Sequence, residues 1–261
     1  MKTHRIIAIL LRYIFLFKHS FDRLSDAFYW PTIDLLIWGL TSLYFRKFMP
    51  DQSYIVLVIM SGLLLWLVVW RGQYEITVNL LEDLWNKNLV NIFVSPLKFS
   101  EWISSFLLLG LIKAIISLSF ASLLAFFLYK FKIFIFGFYL LPFFIILIMM
   151  GWWVGFIVAG IVLRYGTRLQ TLAWAAIAVV SPFSAVYYPV SILPNWAQKI
   201  ALFVPTSYVF EGAREVISKG HLDPNKLYIG FALDCFYLCL SLIFLRKSFD
   251  KVLEKGLVKL Y

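Results

Sequence analysis

The most constraining feature of the sequence is a run of 31 residues, Ile133 to Leu163, without one charged side chain. About 20 mainly apolar residues are enough for a helix to cross the hydrocarbon core of a bilayer. The composition agrees, since 62% of the 261 residues are apolar and 15% are charged, against about 45–50% and about 25% in soluble domains. A globule of this size cannot enclose so much apolar surface. The sequence therefore predicts an integral membrane protein.

Six stretches are long and apolar enough to be transmembrane helices, and we predict an all-α bundle of six spans. They cover about residues 28–45, 54–70, 102–128, 133–163, 169–188 and 227–245. We expect one transmembrane domain over residues 1–261. Its parts are an interfacial helix (1–27), spans one to five (28–188), outer re-entrant helices (189–226) and the sixth span with a tail (227–261).

The N-terminal segment is basic and amphipathic. Arg5, Arg12 and His19 recur every seven residues, which places them on one face of a helix, with apolar residues on the rest. This pattern predicts a helix lying in the membrane interface, its basic groups toward lipid headgroups or cytosol; a soluble basic leader is the alternative. A cleaved signal peptide is disfavoured, because Arg12 interrupts the apolar run and no small-x-small site follows.

The distribution of Lys and Arg predicts the orientation. Fifteen lie in segments on the side of both termini and eight in segments on the other side, with Lys113 inside a span. Because cytoplasmic loops carry the excess of Lys and Arg, we expect both termini in the cytoplasm. The net charge of +10 then reflects orientation, and membrane lipids rather than nucleic acid are the expected partners.

Two segments do not fit a simple bundle. Between the second and third spans, an amphipathic helix is predicted over about residues 79–96, ended by Pro96. Its apolar side is formed by Leu80, Leu81, Leu84, Trp85 and Leu89.

The second such segment, residues 189–224, is too polar to span and too apolar to be a plain loop. Pro194 and Pro205 each stand where a helix can begin. We expect two short helices here that dip into the outer leaflet.

Three charged residues fall inside predicted spans, namely Asp34, Lys113 and Asp234. Each costs about 2.5–3.5 kcal/mol at the centre of a membrane helix, so each requires a reason. On depth alone, Lys113 and Asp234 are the better matched pair, with Asp34 the other possible partner. They are either a polar patch on a conduction path or a structural ion pair. Trp38, in the middle of the first span, is a candidate to line a path for sugars or lipid tails.

The sequence offers no catalytic or metal centre. No predicted span contains His, and neither an H-E-x-x-H motif nor a G-x-x-x-x-G-K-[ST] phosphate loop occurs. We therefore expect no enzyme activity and no cofactor in this chain. Gly151 and Gly155 form a G-x-x-x-G motif, which predicts close helix packing without identifying the partner helix.

Two motifs resemble the permease subunit of ABC-2 type exporters. The first is SPLKFSEW (Ser95–Trp102), which follows the predicted amphipathic helix. The second is VYYPVSILPNWAQKIALFVPTSYVFEGARE (Val186–Glu215). The family-like positions of the second motif are Pro189, Pro194, Trp196, Pro205, Glu211 and Arg214. The likeness in order and spacing covers nearly the whole chain.

This resemblance implies a transport subunit in the plasma (inner) membrane of a prokaryote. Two permease halves, either two copies or this chain and a paralogue, would pair with two separate ABC ATPase subunits that bind ATP and Mg. The ATPase would contact residues 80–96 and, to a lesser extent, the turn at Arg164 and Arg168. The exported substrate would be amphipathic: a lipid, a lipid-linked glycan or a hydrophobic drug. A stand-alone secondary transporter that uses the intramembrane Asp and Lys, and a non-transporting membrane assembly protein, are the alternatives.

Overall fold

The computed structural model describes residues 2–48 and 54–255, and within these ranges the chain is helical and has no strand. The α-helices are α1 (Thr3–His19), α2 (Phe21–Phe48), α3 (Tyr54–Trp85), α4 (Leu89–Val94), α5 (Phe99–Tyr129), α6 (Leu140–Tyr165), α7 (Leu172–Val180), α8 (Asn195–Ala201), α9 (Pro205–Lys219) and α10 (Pro224–Lys255). Short 3-10 turns lie at Ile133–Tyr139, Gly166–Leu169, Ser181–Ser184 and Val190–Ile192.

Within the described ranges, four helical segments are long and apolar enough to cross a membrane. They are Tyr54–Trp85, Phe99–Tyr129, Ile133–Leu169 and Pro224–Glu254. They correspond to the predicted second, third, fourth and sixth spans. The chain is thus an all-helical protein with multi-pass membrane character.

The other two predicted spans have a different form. The helix α2 contains Pro31, Asp34 and several Trp and Tyr residues among its aliphatic residues. It is therefore long enough to cross a membrane but less apolar than the four segments. The predicted fifth span is shorter than expected, because its apolar helical part runs only from Leu172 to Ser184. At 1.5 Å per residue that part is about 20 Å long, less than the roughly 30 Å of a hydrocarbon core.

The helix α3 lies at the centre of the bundle and packs most closely against α6. A Cβ atom added to Gly151 of α6 would lie 2.5 Å from the Val69 carbonyl oxygen and 2.9 Å from the Gly72 Cα atom of α3. One added to Gly155 would lie 3.1 Å from the Ile76 side chain. The G-x-x-x-G motif therefore serves an intrachain contact, in which the missing side chains let two backbones approach.

Two apolar cores divide the bundle along its length. One core includes Tyr13, Leu80, Trp102, Phe156 and Leu245. We call the end of the bundle that contains this core the α1 end. The other includes residues of α3, α6 and α9, at the end where α8 and α9 lie. Each core draws on several helices, so the long helices are held at both ends.

The amphipathic helix predicted over residues 79–96 is wrong in its bounds. The helix α3 continues to Trp85, and Lys87 then adopts a left-handed conformation (φ 53°). The Asn88 amide donates to the Asp83 carbonyl oxygen at 2.8 Å, which closes the turn. Only the six residues of α4 form a separate helix. The helix does not start afresh at residue 79, because Leu80, Leu81 and Leu84 extend the buried face of α3.

The two short helices predicted before the last span are present. The helix α8 begins at Asn195, directly after Pro194, and α9 begins at Pro205. Pro205 occupies the first position of α9, where proline is favoured because the first amide groups of a helix have no intrahelical acceptor. Pro194 is the N-cap residue of α8. The insertion of these two helices into the outer leaflet stays a prediction.

Candidate functional site

The second half of α3 carries polar side chains that are buried within the bundle. They are Arg71, Gln73, Glu75, Thr77, Asn79 and Asp83. A buried charge is costly unless it is paired and hydrogen-bonded. Neighbouring helices supply the partners, and we call the resulting set of ion pairs the α3 network.

Two cations and two carboxylates form the centre of this network. The Arg71 Nη1 atom lies 3.1 Å from Asp26 Oδ2 on α2 and 3.9 Å from Glu75 Oε1. The Lys113 Nζ atom on α5 lies 2.6 Å from Glu75 Oε2 and 4.4 Å from the centre of the Phe17 ring. These four charges sum to zero, so the centre of the network is electrically balanced.

The predicted pairing of Lys113 with Asp234 is therefore wrong, and Asp34 is not its partner either. The prediction ended the second span at Trp70 and so left Glu75 outside the membrane segment. Because α3 is one helix from Tyr54 to Trp85, Glu75 lies inside the bundle opposite Lys113.

Asp234 lies apart from the network, on the face of α10 that packs against α6. Its side chain is fully buried, and Trp153 Nε1 donates to its Oδ1 atom at 2.9 Å. Among the described residues, its Oδ2 atom has no hydrogen-bond partner. An indole rather than a cation is thus the neighbour of this carboxylate.

The basic residues of α1 contact acidic groups of the protein itself. Arg12 Nη2 lies 2.5 Å from Asp83 Oδ1, and the Tyr13 hydroxyl donates to the same carboxylate. Arg5 pairs with Glu101 at 3.5 Å and also donates to the Pro96 carbonyl oxygen. Arg5 and Arg12 thus each pair with a buried carboxylate, although their side chains remain 23% and 37% exposed. The placement of this helix in the membrane interface, with its basic groups toward lipid headgroups or cytosol, stays a prediction.

Tyr13 is a buried hydrogen-bond donor in this contact. Burial and the neighbouring Asp83 carboxylate raise the pKa of Tyr13 well above its ordinary value of 10.0. The hydroxyl therefore stays protonated and keeps its bond to Asp83. Together with Arg12, it fixes α1 to the end of α3.

Beside the network lies a cavity of about 540 Å³ between α2, α3 and α7. Seven of its lining residues are aromatic: Trp30, Trp38, Trp66, Trp70, Tyr74, Trp174 and Tyr187. The volume falls in the range of about 300–1,000 Å³ that is usual for small-molecule sites. We call this space the aromatic cavity.

The charged residues that line the aromatic cavity are Asp26, Asp34 and Arg71. Asp26 is paired with Arg71, whereas Asp34 forms no ion pair with any described residue. Asp34 and Trp38 are four residues apart on α2 and so lie on one helix face. Trp38 stacks on Tyr187 with ring centres 5.1 Å apart and planes 15° apart. Of the predicted intramembrane and path-lining residues, the structure brings Asp34 and Trp38 to one site and places Lys113 and Asp234 elsewhere.

The residues predicted to contact an ATPase have two different environments. Leu80, Leu81, Leu84 and Leu89 are buried in the core of the α1 end, so this side is not available to a partner. Trp85, Pro96 and Arg168 are exposed.

The two segments predicted to couple to an ATPase meet at the α1 end. The Trp85 Nε1 atom donates to Gln170 Oε1 at 3.2 Å, which joins the end of α3 to the turn after α6. Arg164 points away from that surface, donating from Nε to Ser248 Oγ at 2.8 Å and lying 4.7 Å from the Phe244 ring centre.

Between α7 and α10, the residues of the second motif form a brace. The Glu211 Oε1 atom accepts from the Val190 amide at 2.7 Å and from Arg214 Nη2 at 3.1 Å. Pro189 precedes the 3-10 turn that this bond holds, and Pro205 is buried. Pro194 and Trp196 are exposed. The Glu211–Arg214 pair thus ties the loop before α8 to α9.

Sequence reasoning missed Arg71, Glu75 and Asp83, although their spacing contains the signal. Together with Asn79 they recur every four residues, which places them on one side of a helix. The cavity residues from α3 and α7 could not be grouped in advance, because their proximity depends on how the helices pack.

No protein-family model matches this chain, and no curated protein sequence is significantly similar to it.

Proposed function

We propose that this chain is the membrane-embedded subunit of a transporter and that the aromatic cavity is part of its substrate path. The observation that supports this most is a drug-sized cavity within a bundle that contains four membrane-length helices. Its α3 lining runs from Leu63 to Tyr74, about 14 to 30 Å along the helix from Tyr54. That position is the membrane interior if α3 crosses the bilayer.

We further propose that ATP hydrolysis in a separate ABC subunit drives transport. The support is the resemblance of two motifs to ABC-2 permeases and the lack of a phosphate-loop motif in the 261 residues. Since the leucines are buried, the docking surface in this proposal includes the exposed Trp85, Pro96 and Arg168. The Trp85–Gln170 hydrogen bond makes the two coupling segments one surface. In this proposal the chain pairs with a second permease chain, and the α1 end faces the cytoplasm of a prokaryote.

The experiment is purification of the chain in mild detergent together with its bound subunits, followed by measurement of ATP hydrolysis. We expect a stoichiometric subunit with a phosphate loop, and hydrolysis that the double variant Trp85→Ala/Arg168→Ala abolishes by releasing this subunit. Tyr228→Ala is the control, since Tyr228 is an aromatic residue 72% exposed near the start of α10, at the opposite end and outside both motifs. A purified chain that moves cargo into vesicles without any ATPase would overturn the proposal.

Ion-coupled transport by the chain alone is the second candidate, favoured by the carboxylate of Asp34 in the aromatic cavity. It predicts uptake into vesicles driven by a proton or sodium gradient without ATP. The same purified material distinguishes the two candidates.

A further inference from the structure

We propose that the aromatic cavity binds a lipophilic organic cation, such as a quaternary ammonium or phosphonium compound. The cationic centre would lie at the Asp34 carboxylate and the apolar body against the indole rings. This inference deepens the proposed function, since it names a ligand class for the same cavity, but binding itself requires no transport.

The first support is the charge of the cavity. The Arg71 side chain is 2% exposed, and its Nη atoms donate to the carboxylate and the backbone carbonyl of Asp26. Asp26 is thereby neutralised. The Arg71 Nε atom has no hydrogen-bond partner among the described residues but is buried, so a ligand in the cavity does not reach it. Asp34 remains the uncompensated charge among the lining residues that the structure describes. A cation is attracted by this carboxylate, and an anion finds no available positive group.

The second support is the supply of aromatic faces. Trp30, Trp38 and Trp174 are 57%, 38% and 38% exposed, so each leaves ring surface available to a ligand. A cation within about 6 Å of an aromatic face is attracted by the ring quadrupole, most strongly by indole. Trp38 stands one helical turn from Asp34, so one ligand can contact both the carboxylate and the ring.

The third support favours a cation over a glycan. Apart from the three charged residues, the hydrogen-bonding side chains among the described lining residues are the indole N–H groups and the hydroxyls of Tyr74 and Tyr187. A glycan has many hydroxyl groups, and each one that is buried without a hydrogen-bond partner costs free energy. A tetra-substituted cation has no donor to satisfy. The cavity thus suits an apolar body with one diffuse positive charge.

The test is equilibrium binding of tetraphenylphosphonium to the purified chain, with its bound subunits, in lipid nanodiscs, with empty nanodiscs as background. We expect saturable binding that the isosteric anion tetraphenylborate does not share. Asp34→Asn should weaken binding about tenfold or more, the size expected for losing one desolvated charge contact, whereas Asp34→Glu should retain it. Asp250→Asn is the matched control, because it removes an exposed carboxylate on α10.

The aromatic contribution is tested in the same assay. Trp38→Leu should weaken binding about two- to fivefold, as expected for one cation–π contact, whereas Trp196→Leu should leave it unchanged. Equal binding by wild type and Asp34→Asn would overturn the inference, as would equal affinity for tetraphenylborate or the absence of saturable binding. If binding fails while the ATPase still co-purifies and hydrolyses ATP, the ligand assignment is wrong and the proposed function stands. If binding holds but no ATPase associates, the ligand assignment stands and the proposal of an ABC ATPase partner is wrong.

Discussion

Glu75 on α3 and Lys113 on α5 form an ion pair of 2.6 Å with both side chains almost completely buried. Removing one member of a buried pair leaves an uncompensated charge, whereas replacing both with apolar groups is often neutral. The pair therefore fixes the relative position of two helices and makes the bundle sensitive to single changes.

We expect Lys113→Met to lower the free energy of unfolding by about 3–5 kcal/mol, the usual cost of breaking a buried pair. The double variant Lys113→Met/Glu75→Met should recover part of that loss. Reversible unfolding in mixed micelles measures both. Arg246→Met is the control, because its exposed pair with Asp250 should change stability by less than about 1 kcal/mol. A double variant no more stable than Lys113→Met alone would contradict the assignment.

The contact between α6 and α3 predicts a strong effect of one methyl group. Gly151→Ala places a Cβ atom 2.5 Å from the Val69 carbonyl oxygen, so the helices must separate, at a cost of about 1–3 kcal/mol. Gly230→Ala is the control, since its Cβ atom would lie 3.4 Å from the nearest atom, an ordinary contact. Thermal unfolding followed by circular dichroism distinguishes the two. Equal melting temperatures would refute the close approach.

The hydrogen bond between Trp153 and Asp234 predicts a difference between two substitutions. Asp234→Asn keeps an acceptor for the indole N–H and should change stability little. Asp234→Leu leaves that N–H buried and unpaired, which costs about 1–3 kcal/mol. Unfolding in mixed micelles measures this difference as well. If Asp234→Asn is as destabilising as Asp234→Leu, the carboxylate has a role beyond accepting this bond.

Tyr13 predicts a pH dependence. Its raised folded-state pKa means that its hydroxyl contributes stability fully below the ordinary tyrosine value of about 10. That contribution is lost as the pH rises from there through the folded-state pKa, because the unfolded chain ionises first. The stability advantage of wild type over Tyr13→Phe should therefore be constant from pH 7 to 9 and smaller at pH 11. If the stability advantage of wild type over Tyr13→Phe grows with pH, the pKa of Tyr13 is not raised in the folded state.

Local sequence patterns predicted much of the fold. Long apolar runs identified the four membrane-length helices, and Pro194 and Pro205 identified the starts of α8 and α9. The end of α3 was not predictable in this way. The polar residues after Trp70 are typical of a loop as long as the side chains that pair with them are unknown. Those partners, such as Asp26 and Lys113, lie on other helices and become visible only when the helices are packed.

The candidate site was predicted in part for the same reason. Asp34 and Trp38 are recognisable as candidates in the sequence, because a charge and an indole are unusual in the middle of an apolar stretch. Trp174 on α7 and Tyr187, which follows that helix, join them through the path of the chain, which no local pattern specifies. The leucines at positions 80, 81 and 84 were predicted to contact an ATPase but are buried within this chain. An apolar helix face indicates burial, but it does not indicate whether the same chain or a partner protein buries it.

If the aromatic cavity belongs to an ATP-driven path, ATP must change the accessibility of position 34. We would replace Cys235 and Cys239, introduce Asp34→Cys, and measure its labelling rate by a membrane-impermeant maleimide in the purified complex. Asp250→Cys in the same background is the control. We expect ATP to change the labelling rate at position 34 several-fold and to leave the rate at position 250 unchanged. Identical rates with and without ATP, in a complex that hydrolyses ATP, would contradict it.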